Sequence, residues 1–291
     1  MTTTLLALLL GTLQDPADLV RKLGSADAVE ADNARDELLR LGAPVRDPVR
    51  KALEGTPAAA LKARATEILE RLEVRQAAAG IVTRWGDRWY SLLANNVHLG
   101  WAHMKAELKD GQAVFQDELY VKFNKDAELT VKASFTCGLD EYLSVRDFTL
   151  DVAAPDRTVK ATAKRKDDRL LVTTDGELKG HKVRARLVPD LVAMRLVTLL
   201  PKTESYTIDF LETVNPALRE GLSLRQAAEE VLELAGKQLK TRRFESSDSE
   251  GNVRCYWVDG EGRLLKSSFR GGEIEAVLTT EDKARDLDTG N

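Results

Sequence analysis

From residue 88 onward, apolar and polar side chains take turns. Leu129, Val131, Ala133, Phe135 and Cys137 alternate with Glu128, Thr130, Lys132, Ser134 and Thr136. A period of two puts the two sets on opposite faces of an extended chain, and one wet face marks an antiparallel sheet. Ala113, Phe115, Leu119, Val121 and Phe123 repeat the pattern, broken at Asp117. The stretch from Trp85 to Phe123 reads as three strands joined at Asn95-Asn96 and at Lys109 to Gln112. Val159, Ala161 and Ala163 follow, then a hairpin at Asp167-Asp168 into Leu170 and Val172, and a turn at Asp175-Gly176. His181 to Leu187 alternates again. Asp190 to Leu200 reads as a helix stopped by Pro201, with Leu191, Met194 and Leu196 toward a sheet. Tyr206, Ile208 and Phe210 open another strand. Ser223 to Leu234 fits two templates, and the reading splits it: a helix to about Glu229 and strands beyond. Hairpins over Val253–Val258, Leu264–Phe269 and Ile274–Thr279 close the pattern, and the last twelve residues are polar and expected to fray.

Before residue 84 the period is helical. Asp15 and Pro16 form a start signal. Ala31 to Leu41 carries Ala34, Leu38, Leu39 and Leu41 on its apolar side and stops at Gly42. Pro44 opens a third segment, whose helix proper is expected to begin at Pro48 because an interior proline removes a hydrogen bond. The fourth and longest runs from Ala58 to Arg75, with Leu61, Ala65, Ile68, Leu69 and Leu72 in one stripe.

Thr4 to Leu13 is free of charge and has the length of a signal-peptide core, far short of the roughly 20 residues a membrane span takes. No Lys or Arg precedes it, and Thr12-Leu13-Gln14 is a poor cleavage site. Export is nonetheless the reading taken, because a run apolar on all sides suits a small helical bundle badly. The competing reading is a first helix with its leucines inside.

The 291 residues are 43% apolar and 31% charged, with a net charge of −4, which suits a globular protein and gives no reason to expect nucleic acid or an acidic membrane as partner. Lys164-Arg165-Lys166 and Lys240 to Arg243 are basic, but acids flank both, so they read as wet strand faces. Two cysteines, Cys137 and Cys255, and three histidines do not make a disulfide scaffold or a structural zinc site. Both thiols read as small buried groups; a bridge between them would require an oxidising compartment.

Two resemblances rest on quoted stretches. LVRKLGSADAVEADNARDELLRLGAPVRDPVRKALEG, followed by KARATEILERLE, resembles the helix-pair units of the HEAT class, over about one and a half to two units. A solenoid usually needs three or more, so this segment is expected to pack on its neighbour or dock a partner. RWYSLLANNVHLGWAHMKAEL and CYWVDGEGRLLKSSFRGGEIEAVLTTEDKA resemble the opening and closing strands of a β-rich extracytoplasmic module that precedes transglutaminase-like domains in bacteria. Similar sheets occur in the DUF3108 and LolA-like lipoprotein-carrier group. The resemblance covers about residues 84–284 and departs from the pattern at Asn95-Asn96, where glycine is usual. It implies a curved sheet around a helix. No transglutaminase-like catalytic domain is present, so it carries no enzymatic role.

Candidate chemistry is thin. His98 and His103, five apart on a strand, point to opposite faces and cannot share a metal without a bulge. Cys137 with Asp140 could be drawn as a nucleophile set, but its place on the inward side of a strand favours a buried thiol. Asp259-Gly260-Glu261-Gly262 offers acidic oxygens yet lacks the spacing of a calcium loop, so it reads as a hairpin turn. No phosphate loop, Gly-x-Ser-x-Gly elbow or His-Glu-x-x-His is present.

The expected architecture is α+β: a possible signal peptide at 1–14, a HEAT-like helical part at 15–80, an antiparallel sheet domain at 84–284 that curls around one or two helices, and a disordered tail at 285–291. The expected function is non-enzymatic and extracytoplasmic, with no cofactor and no metal. The sheet's hollow, lined by Trp101, Phe115, Leu129, Val131, Phe135, Tyr206, Ile208 and Phe210, would hold a lipid, another apolar ligand or a partner segment. The alternative is a scaffold whose helices dock a protein partner and whose sheet is filled by its own side chains.

Overall fold

The computed structural model describes residues 15–124, 126–140, 142–183, 187–196, 206–211, 218–247, 251, 253–269 and 273–287. The apolar run at Thr4 to Leu13, Arg184 to Arg186, the 197–200 part of the expected helix and the Gly271-Gly272 turn lie outside the described residues. The chain divides into two compact units, residues 1–76 and 77–291.

Helices α1 (Pro16–Leu23) and α2 (Ala28–Leu41) lead to a 3-10 turn at Ala43–Val45, then α3 (Arg46–Ala52) and α4 (Ala59–Trp85). The carboxylates of Asp15 and Asp27 accept from the backbone N–H groups of Ala17 and Val29, satisfying donors that a helix start leaves orphaned. In the first unit Leu19, Leu23, Leu38, Val49, Ile68 and Leu72 form the core. Arg64 Nη1 donates to the carbonyl oxygens of Leu23 and Ser25 at 2.7 and 3.2 Å, closing the C-terminal end of α1. The longest helix runs ten residues past the expected stop at Arg75, and Trp85 is its last residue rather than the start of a strand. Ala78, Ile81, Val82 and Trp85 are buried at helical spacing, the signal for that extension.

In the second unit the strands are β1 (Asp87–Ala94), β2 (Val97–Lys109), β3 (Gln112–Asn124), β4 (Ala127–Cys137), β5 (Val145–Ala154), β6 (Arg157–Lys166), β7 (Arg169–Thr174), β8 (Glu177–Lys182) and β9 (Leu187–Pro189). After α5 (Asp190–Leu196) come β10 (Tyr206–Leu211), β11 (Leu218–Leu234), β12 (Lys237–Ser247), β13 (Val253–Asp259), β14 (Leu264–Phe269), β15 (Ile274–Thr279) and α6 (Glu281–Arg285). Among the described residues these fifteen strands form one sheet, ordered β8 to β1, then β15 down to β9. Every neighbouring pair is antiparallel except β9 with β10. Asn95-Asn96, Asp175-Gly176 and Ala235-Gly236 all have positive φ, the two-residue hairpin geometry that matches strand twist. The architecture is α+β with a large curved antiparallel sheet.

The curvature follows from connectivity. Strands β8 and β9 are the two edges of the sheet, yet only five residue steps separate Lys182 from Leu187. Five steps reach at most about 18 Å. Fifteen strands laid flat at their usual spacing would be roughly 67 Å wide. The sheet must therefore curl until its edges approach one another. β9, at one edge of the sheet, is in contact with β5, which lies three strands in from the other edge. All three β9 residues are buried.

The structure differs from the sequence expectation in three further elements. The segment Ser223 to Glu229 is not helical; it lies within β11, which carries a bulge between Gln226 and Ala228. The strand expected through His181 to Leu187 ends at Lys182. The polar end expected to fray contains α6, with Ala284 fully buried.

Candidate functional site

The inner face of the sheet is closed by the protein's own side chains. Phe115, Val131, Phe135, Ile208 and Phe210 are at most 1% exposed. They share one core with Ala78, Val82 and Trp85 of α4, with Leu187 and Val188 of β9, and with Val192, Ala193 and Leu196 of α5. Leu129 packs partly buried against the same core. The side chains of Tyr206, Leu191 and Met194 lie outside the described residues. Trp101 does not join this set. It pairs across strands with Tyr120, whereas Ala106 pairs with Phe115, so the register puts Trp101 on the outer face.

The break at Asp117 is where the core holds a charge. Arg195 of α5 is fully buried, and its Nη1 donates to Asp117 Oδ2 at 3.1 Å while Nη2 donates to Oδ1. The guanidinium carbon sits 4.5 Å from the centroid of Phe115 and 4.8 Å from that of Trp85. A planar, weakly hydrated cation between two ring faces and a bidentate carboxylate is the arrangement in which a buried arginine is tolerated. Asp117 was visible in the sequence as an interruption; nothing in the sequence pointed to Arg195 as its partner.

Cys137 is fully buried, and burial, then the nearby Asp140 carboxylate, push its thiol well up from the ordinary value. Asp140 Oδ1 instead accepts from the backbone N–H groups of Tyr142 and Ser144 and from the Ser144 hydroxyl, at 2.9 to 3.0 Å. Cys255, less buried, is raised by burial and then by Glu245. Both are free thiols, and their strands β4 and β13 are separated by five others. Iodoacetamide at pH 8 should therefore alkylate Cys255 first, more slowly than an unstructured cysteine, and should reach Cys137 only in denaturant. Peptide mass spectrometry of the timed reaction reads both rates.

His98 and His103 have separate partners. A bulge does occur in β2 opposite Leu92 and Leu93, yet His98 Nε2 lies 2.8 Å from the Gly100 carbonyl and His103 Nε2 lies 2.7 Å from Asp87 Oδ1. At the β13–β14 turn, Asp259 Oδ1 accepts from the N–H groups of Glu261 and Arg263, and Oδ2 from Arg263 Nε at 2.6 Å. Its oxygens hold the turn.

The outer face gathers the aromatic side chains that the hollow does not use. Trp89, half-buried, stacks on His103 with centroids 4.1 Å apart and planes 7° apart. Trp89 and Trp101 are 5.3 Å apart and tilted by 51°, and Trp101 stacks on Tyr120 at 6.0 Å. His103 also borders an open groove of about 570 Å³ across β2 to β6, with Glu118, Lys132, Ser134, Thr149 and Asp151 along it. Lys132 pairs with Glu118 at 3.1 Å there. Trp101, expected on the concave side, lies on the outer face; the alternation of Gly100, Ala102 and Met104 on the buried side is the signal for it.

No family model and no curated protein sequence matches the chain. Among solved structures, it is similar to a β-barrel-like protein of domain of unknown function DUF1849 from Brucella abortus, at 9% identity and a TM-score of 0.48, over 67% of this chain and 95% of that one. It is also similar to a DUF1089 family protein from Pseudomonas aeruginosa, at 12% identity and a TM-score of 0.38, over 59% of this chain and 90% of that one. No described helix is long and apolar enough to cross a membrane.

Proposed function

We propose that this chain is a non-enzymatic binding protein that works outside the cytoplasm, and that it offers its partner the outer face of the sheet rather than the hollow. One contrast carries the reading. Phe115, Val131, Phe135, Ile208 and Phe210, five of the eight residues expected to line a ligand cavity, are 0–1% exposed in a core completed by α4, β9 and α5, whereas Trp89, Trp101 and Tyr120 are partly exposed and His103, stacked on Trp89, borders a groove. Rigid aromatic side chains on a wet sheet face, flanked by charged and hydroxyl groups, suit recognition of a ligand that is part apolar and part polar. The non-enzymatic part is supported by the state of the candidate groups: Cys137 is fully buried, and Asp140 and Asp259 accept hydrogen bonds from their own loops. The extracytoplasmic part rests on the charge-free run at Thr4 to Leu13.

Native mass spectrometry of the protein purified from its own cells tests the choice of face. The expected spectrum shows the bare chain without bound lipid. A stoichiometric lipid would return the binding role to the hollow. Sequencing the N-terminus of the same sample should find that the charge-free run has been removed.

A further inference from the structure

We propose that the cleft between Trp89 and Trp101 is a binding site for a guanidinium or quaternary ammonium group, held closed in cis by Arg285. The proposal rests on the outer-face reading above and gives that face a ligand class. Trp89 in β1 pairs with His103, and Ser91 with Trp101, so the two indoles are diagonal neighbours on one face. Their 51° tilt at 5.3 Å opens a V. Arg285 of α6 fills it: its guanidinium carbon lies 4.7 Å from the centroid of Trp89 and 4.8 Å from that of Trp101. Both distances are within the reach over which a ring quadrupole attracts a cation. His103 and Tyr120 extend the ring wall on either side. Two carboxylates stand by: Glu281, 3.0 Å from Arg285 Nε, and Asp87, 2.7 Å from His103. Aromatic faces with acids at the rim are the chemistry that selects an organic cation over an anion or a neutral group.

The occupant is weakly tethered. Helix α6 has five residues, too few to persist unless docked. Its N-cap Thr280 makes no side-chain cap hydrogen bond, and Ala284 is its buried anchor. The Arg285 side chain itself remains 50% exposed. An intramolecular cation of this kind acts as a competitor at high effective concentration. An incoming ligand must displace it, so affinity should rise when Arg285 is removed.

The test uses the full chain with Arg285→Ala and Arg285→Gln, titrated with tetramethylammonium chloride and with arginine amide. Tryptophan fluorescence is the readout, sodium chloride at equal ionic strength is the control, and circular dichroism confirms the fold. The glutamine variant keeps the stem of the side chain and guards against loss of packing in the alanine variant. Either variant is expected to show saturable quenching with a dissociation constant of about 10 mM, as two cation–π contacts would give. The wild type should bind about tenfold more weakly. Adding Trp101→Ala to the variant should abolish the response. A response no larger than that of sodium chloride in both variants, equal affinity in wild type and variant, or binding that survives loss of Trp101 would each overturn the cation site. None of these results would touch the choice between hollow and outer face, which the native mass spectrum decides.

Discussion

Replacing Arg195 with alanine is expected to lower the stability of the sheet unit by about 3–5 kcal/mol, the range for breaking a buried ion pair from one side. Asp117, 5% exposed in the native structure, would lose the guanidinium that faces it. The two rings that sandwich Arg195 would also lose their packing partner. Urea unfolding followed by tryptophan emission measures the change. The double variant Asp117→Leu with Arg195→Met is expected to recover much of the loss, because two apolar side chains of similar volume need no compensation. The double variant should therefore be more stable than Arg195→Ala alone. A sum of two independent losses would show that the pair is not coupled and that the packing of α5, rather than the charge, sets the effect.

Gly100→Ala is expected to cost about 3 kcal/mol or to prevent folding, a severe case of overpacking. A Cβ at residue 100 would stand 1.9 Å from the Tyr120 carbonyl oxygen and 2.8 Å from Val121 Cα. Both obstacles are backbone of β3, which pairs with Gly100 through Val121. Relief would require β2 and β3 to move apart in the middle of the sheet. The contrast is Gly180→Ala in edge strand β8, where the added carbon meets only Leu171 Cδ2 at 3.5 Å. That change should stay within about 0.5 kcal/mol. Equal effects at the two glycines would mean that the loss comes from strand glycines in general and not from the approach of β3. Both variants are read by the same denaturant midpoint.

Much of the fold could be read locally because local rules govern it. Alternation over Ala113 to Phe123 and Leu129 to Cys137 placed β3 and β4, and Asn95-Asn96 and Asp175-Gly176 placed tight turns that need positive φ. Where a local rule was interrupted, the reading failed. In β11 a bulge near Ala227 inserts an extra residue, so the period of two slips. Leu224, Ala227, Ala228 and Val231 then mimic a helical stripe. Residues 76–85 contain Gly80 and a run of alanines, which hid the end of α4. The candidate site was less legible than the fold. Trp101 and Trp89 lie on different strands, and Arg285 lies more than 180 residues from either, in a stretch whose polarity alone suggests fraying.

The sequence alone determined strands such as β3 and β4, the tight turns at Asn95-Asn96 and Asp175-Gly176, and the α+β class, because each depends on residues a few positions apart. Tertiary structure alone decided that the sheet curls around its own core, that Asp117 meets Arg195, and that Trp89 and Trp101 meet around Arg285. Those outcomes depend on register and connectivity across the whole sheet, which bring together side chains that no periodicity relates.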